Sequence, residues 1–207
     1  IMLALFIYPL IFSAFNSLRS YDLNRPQDTQ FVWFANYAHI LQSNEFHTAL
    51  KNTTKYALVA VPLEFVFGLI LAMALENIEI GRGVMRTLLI LPMMLAPIAM
   101  GLMWKFMYND QLGIINFLLR CTHLMNNPPL WLADPNLALN SVIAVDIWAT
   151  TPMMIILLLA GLLSIPGEYY EAADIDGASP IAKFCLITLP LLQPVILVAL
   201  LLRGMDA

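Results

Sequence analysis

The chain has 207 residues, 60% of them apolar and only 12% charged, with a net charge of −4 and a mean hydropathy of +0.78. Soluble domains lie nearer half apolar and a quarter charged, so this composition excludes a water-soluble globule and makes lipid the solvent. No nucleic-acid partner is expected. A backbone in hydrocarbon must satisfy its own polar groups, so each apolar run has to reach about 20 residues of helix to cross.

Residues 1–18 carry no charge and form the first apolar run. They lack the charged start and small-residue cleavage site of a signal peptide and read as a truncated span. The chain begins at Ile1 inside this run and stops at Ala207 soon after entering another, so residues 1–207 read as one transmembrane domain cut at both ends. Residues 19–54 mix charged, amide and aromatic side chains and form an outer connection with a short helix or turn of its own. It contains a turn signal at Asp22 to Pro26. Trp33, Phe34 and Tyr37 are placed either at the headgroup level or packed beneath the loop.

Span two covers residues 56–75, with Glu64 as its only charge, and ends in the tight turn 76–83, which contains Gly81 and Gly83. So short a turn predicts that spans two and three are antiparallel neighbours. Span three, residues 87–104, contains Pro92 and Pro97, each of which removes a helical donor and favours a bend suited to a gate or cavity wall. A second outer loop, residues 108–136, shows turn signals at Asn109 to Gln111, Asn126 to Pro129 and Asp134 to Asn136, and is expected to line the outer mouth. Span four, residues 137–163, carries only Asp146 and ends at Pro166 and Gly167. The fifth run begins near Pro190.

Chemistry-bearing clusters are sparse. No phosphate-binding loop occurs; Gly81-Arg-Gly83 is a turn, and the chain has no means of hydrolysing ATP alone. His39, His47 and His123 are scattered over outer loops, Cys121 and His123 alone fall short of a zinc ligand set, and neither metal nor cofactor is expected. Cys121 and Cys185 fall on loops of opposite faces and cannot bridge. A carboxylate within a span must face a partner, an aqueous cavity or the bundle interior. Asp146, with Trp148, Thr150 and Thr151 close by in sequence, offers an aromatic face and hydrogen-bonding groups for a sugar, or else a buried structural hydrogen bond. Glu64 is a second substrate-path candidate, or is satisfied by Lys55 reaching in from the outer interface.

Residues 165–189 form a polar hairpin between spans four and five, and put Glu168, Glu171, Asp174 and Asp176 within nine residues. Glu168, Glu171, Ala172 and Ile175 recur at helical spacing, so they share one face of a short helix. Ala172 and Ala173 keep its surface thin enough for another backbone to approach. The two glutamates suit the positive end of the helix dipole. Gly177 is placed to end the helix in a left-handed conformation, and Ser179-Pro180 to start the next. The product is helix, sharp turn, helix. Without a further pattern, the same carboxylates read as a solvated loop.

The pattern decides between them. Glu171, Ala172, Ala173, Gly177, Ile187, Leu189 and Pro190 stand at the spacing of the hairpin of permease subunits in binding-protein-dependent carbohydrate ABC importers of the maltose-type branch, which this chain resembles. Asn52-Thr53, Leu91-Pro92, Gly101 to Trp104, Gly113 to Asn116 and Ala160 to Leu162 extend the likeness over nearly the whole chain. The resemblance implies an all-α, polytopic membrane helix bundle like a type I importer permease, in the bacterial or archaeal cytoplasmic membrane. It implies a non-catalytic subunit whose hairpin, through Glu171, Ala172, Ala173, Asp176 and Gly177, couples to separate cytoplasmic ATPase subunits. A second permease subunit, an extracytoplasmic solute-binding protein and a sugar-like solute complete the implied partners.

That assignment puts the hairpin in the cytoplasm, with Arg82, Arg86 and Lys183 on the inner side and Arg19, Arg25, Lys51, Lys55, Lys105 and Arg120 on the outer. Charge bias alone favours the reverse sense. The competing functions are a proton-coupled secondary transporter and an intramembrane enzyme, both using Asp146 and Glu64.

Overall fold

The computed structural model describes residues 2–20, 29–78, 81–123, 125 and 127–207. The turn signal at Asp22 to Pro26, Arg25 with it, residues 79–80 of the turn after span two, and Asn126 lie outside them. Among the described residues the chain is helical, apart from one isolated bridge between Arg19 and Phe31. It divides into two compact units, Ile1–Thr53 and Thr54–Ala207.

The first unit contains α1 (Met2–Ser17), α2 (Ala35–Gln42) and the opening turns of α3 (Asn44–Glu76). At 16 residues, α1 is shorter than a full span of about 20. Its last carbonyl is satisfied from outside the helix: Asn36 Nδ2 donates to Ser17 O at 2.8 Å, and also to Arg19 O just beyond it at 3.0 Å. Trp33, Phe34 and Tyr37 are all exposed rather than packed beneath the connection. Ser43 opens α3, its Oγ accepting from the Phe46 N–H at 3.2 Å. Because α3 starts at Asn44, residues 44–54 of the expected outer connection are helical.

The second unit is built on three helices long and apolar enough to cross a bilayer: α3, α7 (Ala138–Leu163) and the continuous stretch Pro180–Asp206. Their packing follows from a stripe of small residues. The buried positions of α3 are Ala60, Glu64, Gly68, Ala72 and Leu75, four apart for the first four, so one thin ridge faces α7. At Gly68 an added Cβ would lie 2.6 Å from Met154 Cβ, and at Gly161 one would lie 2.6 Å from a Leu192 methyl. Around these close approaches, Ala72, Leu75, Ile155, Leu158, Leu159, Leu162 and Leu192 form the apolar core.

Span three is broken. α4 (Arg82–Ile90) runs into a 3-10 turn (Leu91–Met94), and α5 (Pro97–Met107) leaves it at 94°. Pro97 forces the cause: Leu95 and Ala96 take extended backbone, as residues ahead of a proline do, and Pro97 then opens α5 at its first position. α4 meets α7, and its Leu88 and Leu89 line one cavity together with Phe67, Ile70 and Leu71 of α3. After the break, α6 (Ile114–Cys121) occupies the second outer loop. It is locked to the start of α7: Trp131 Nε1 donates to Asn116 Oδ1 at 2.6 Å, Ser141 Oγ donates to Trp131 O at 3.0 Å, and Tyr108 OH donates to Ser141 O at 3.2 Å.

The hairpin is α8 (Glu168–Ile175) followed by α9 (Pro180–Lys183), a π segment (Phe184–Thr188) and α10 (Leu189–Asp206). The fifth apolar run, read as starting near Pro190, continues the helix that begins at Pro180. Pro190 supplies no N–H to the carbonyl four residues back, and its ring would crowd that carbonyl in a regular turn. The chain widens just before it, with the Leu189 N–H reaching back five residues to Phe184 O.

Gly113 provides a test of this architecture, since a Cβ there would meet Met107 O at 2.6 Å and Asn109 N at 2.8 Å, both backbone atoms. Gly113→Ala is expected to lower stability by roughly 1–3 kcal/mol, whereas Gly101→Ala, with nothing within 4 Å of the new Cβ, should be neutral or better. Thermal unfolding of the two variants in detergent measures the difference.

Candidate functional site

The hairpin's shape comes from local chemistry. Gly167 opens α8, and Glu168 and Glu171 occupy its first turn, where negative charge is favoured. The helix ends on Gly177 at φ +72°, with the Gly177 N–H donating to Asp174 O at 3.1 Å and the Ala178 N–H to Ala173 O at 2.9 Å. This pair of bonds is a Schellman ending, and it requires a left-handed residue that glycine adopts without strain. Ser179 Oγ then accepts from the Ala182 N–H at 3.3 Å, and Pro180 sits at the first turn of α9.

Two side-chain contacts tie the hairpin back on itself. Lys183 pairs with Asp174, and the Tyr170 and Thr188 hydroxyls lie 2.9 Å apart. Of the five expected coupling residues, Glu171, Ala172, Asp176 and Gly177 face outward and Ala173 is buried, so it contributes packing and not surface. Ile175, next to them, is 88% exposed.

The intramembrane carboxylates are organised by a residue the sequence reading passed over. Arg203 on α10 donates from Nε to Glu64 Oε2 at 2.6 Å and from Nη2 to Glu64 Oε1 at 3.0 Å. The same Nη2 pairs with Asp146 Oδ2. Arg203 is 3% exposed, Glu64 0% and Asp146 22%. Asp206, at the exposed end of α10, is a looser partner at 3.5 Å. Glu64 is therefore neutralised by Arg203, not by Lys55.

The sugar-binding constellation read around Asp146 is divided by the helix. Thr150, one turn on, returns its hydroxyl to Asp146 O at 2.7 Å, and Thr151 returns its own to Ile147 O at 2.5 Å. Trp148 and Thr151 instead line a cavity of about 390 Å³ with Phe67, Leu71, Leu89 and Pro92. Its walls are apolar. Trp148 also meets Trp104 edge to face, with ring centroids 5.3 Å apart. Glu64, enclosed and held through both oxygens, has no free oxygen for acid–base work on a substrate. No cluster of metal-ligating side chains occurs among the described residues.

Residues 64–207 match the family described as the binding-protein-dependent transport system inner membrane component. The chain belongs to that family. Over its full length it is 39% identical to the trehalose/maltose transport system permease protein MalF of Thermococcus litoralis, covering 69% of that protein. It is 35% identical to the trehalose transport system permease protein SugA of Mycobacterium tuberculosis, covering 100% of this chain and 66% of that one. The chain thus spans about two thirds of the length of these relatives. A crystal structure of a bacterial ABC transporter involved in import of the acidic polysaccharide alginate superposes with a TM-score of 0.81, at 23% identity, over 98% of this chain and 68% of that one. That likeness concerns the fold, and it agrees with the all-α type I permease bundle expected from sequence. As an inner membrane component of this family, the chain is a multi-pass membrane protein.

Arg203 makes the site testable. Arg203→Met leaves Glu64 buried without its counter-ion and is expected to destabilise the chain by about 3–5 kcal/mol. Arg203→Lys keeps the charge but not the two-pronged geometry and should fall in between. Thermal unfolding in detergent, alongside the amount of folded chain recovered from membranes, orders the three proteins.

Proposed function

We propose that this chain is the translocating subunit of an ATP-driven importer for a sugar-like solute. The single observation that carries this reading is the hairpin: a short acidic helix, closed by a left-handed glycine and bound to the next span by Lys183–Asp174 and Tyr170–Thr188. Such a unit moves as one body. Its outward face, Glu171, Ala172, Asp176 and Gly177, is the surface we assign to an ATPase subunit on the cytoplasmic side, with Ala173 packing that face from behind. ATP is hydrolysed on that partner, and this chain contributes a path and two arrangements of its spans. A second permease subunit and an extracytoplasmic solute-binding protein complete the assembly. The sugar class rests on relatives whose own names specify trehalose and maltose. A proton-driven or enzymatic role for Glu64 and Asp146 is disfavoured by their shared commitment to Arg203.

Gly177→Asp is expected to insert normally and to abolish ATP-dependent uptake. A side chain there meets nothing within 4 Å, and Asp is among the residues that tolerate a left-handed backbone, so the loss arises from the altered surface and not from a clash. Gly177→Asn, which tolerates that backbone better, should retain more uptake than Gly177→Ala. Radiolabelled disaccharide uptake into cells, with membrane content measured in parallel, distinguishes these outcomes; wild-type uptake by Gly177→Asp would remove the coupling role.

The orientation is tested by the chain's own thiols, since Cys121 and Cys185 are both exposed. A membrane-impermeant maleimide should label Cys121 in intact cells and reach Cys185 only after permeabilisation. The reverse order would place the hairpin outside.

A further inference from the structure

Arg203 is held unequally by its two buried partners. Glu64 grips it through both oxygens and is wholly enclosed, whereas Asp146 uses one oxygen and keeps 22% of its side chain exposed. Among the described residues, the bond to Asp146 is also the only polar link between α10 and the body of α7. Everything else along that contact is apolar packing around Leu192, Leu158 and Leu162. A buried carboxylate parted from its counter-ion is strongly unfavourable unless another donor takes over. Asp146, the partly exposed partner, is the one that can be parted from Arg203 at lower cost, whereas the enclosed Glu64 cannot.

We propose that Arg203 is a two-sided clasp: Glu64 holds it permanently and Asp146 holds it exchangeably. α3 and α10 then stay joined through Glu64–Arg203, while α7 shifts against them. This gives the bundle two discrete arrangements, which rocking between states requires. α7 is suited to be the moving member, since Pro152 interrupts its hydrogen-bond ladder six residues beyond Asp146.

The inference rests on the importer reading above, and its test separates the two. The full-length chain is assembled with its partner subunits in proteoliposomes, and ATPase activity is read with and without the solute-binding protein. An assembled wild type that hydrolyses no ATP removes the importer reading before any variant is compared. Asp146→Asn weakens the exchangeable bond and is expected to assemble in normal amount, with activity in the absence of binding protein raised at least about fivefold. Glu64→Gln should reduce the amount of assembled complex, because it weakens the permanent half. Raised activity with normal assembly in Asp146→Asn, beside lost assembly in Glu64→Gln, supports the clasp. Unchanged or lowered activity in Asp146→Asn, or its loss from the assembled complex to the extent of Glu64→Gln, would each overturn it.

Discussion

A guanidinium and two carboxylates in the interior of an apolar bundle dictate much of what the rest of the chain does. Charges at such depth are tolerated only where each has an opposite charge and hydrogen bonds in place. Arg203, Glu64 and Asp146 lie on three different helices, so neutralising them fixes which helices must meet and at what height. Apolar packing alone would leave those heights loosely set, because lipid tails solvate leucine as well as another helix does.

The pairing in turn requires close backbones. Glu64 lies within the same ridge as Ala60, Gly68 and Ala72, and a bulky residue at any of these positions would hold α7 away. Gly68 against Met154 and Gly161 against Leu192 are close approaches that leave no room for a Cβ. On α10 the buried positions are Leu192, Ala199 and Arg203, which share one face at spacings of seven and four. Small residues and the ion cluster are thus two aspects of a single seam.

What was legible in the sequence follows this division. The hairpin was readable because its determinants are local: Gly177 for the left-handed turn, Ser179 and Pro180 for the next helix start, glutamates for the first turn of α8. The bend at Pro97 was readable for the same reason. Arg203 was not, since it joins Glu64 across 139 positions and no local rule selects that partner over Lys55. A signal was available all the same. The four-residue period that places Glu64 among Ala60, Gly68 and Ala72 turns it toward other helices and away from the interface Lys55 would have reached. Likewise Asp146 and Trp148, two apart on a helix, point to opposite sides, so their closeness in sequence never made one pocket. The α6 helix escaped because its eight residues were read through the turn signals around them, and the continuous helix past Pro190 because a π turn absorbs the missing donor.

The geometry also explains how a displacement of the hairpin reaches the middle of the bundle. α7 runs directly into α8 through the short Ser164 to Gly167 connection, and α8 is bonded to the base of the next helix by Lys183–Asp174 and Tyr170–Thr188. Leu162, near the end of α7, meets Leu192, near the start of α10, in the same apolar core. A force on α8 therefore acts first on both helices together, as packed interiors of this density transmit motion and do not absorb it. Farther along, the polar contact between the two helices among the described residues is Arg203 with Asp146, and Asp146 is the more exposed partner. The end nearest the hairpin is stiff and the far end is joined through a single exchangeable bond. On the coupling and the clasp proposed above, a push on the hairpin would open the bundle at its far end, at the ion cluster.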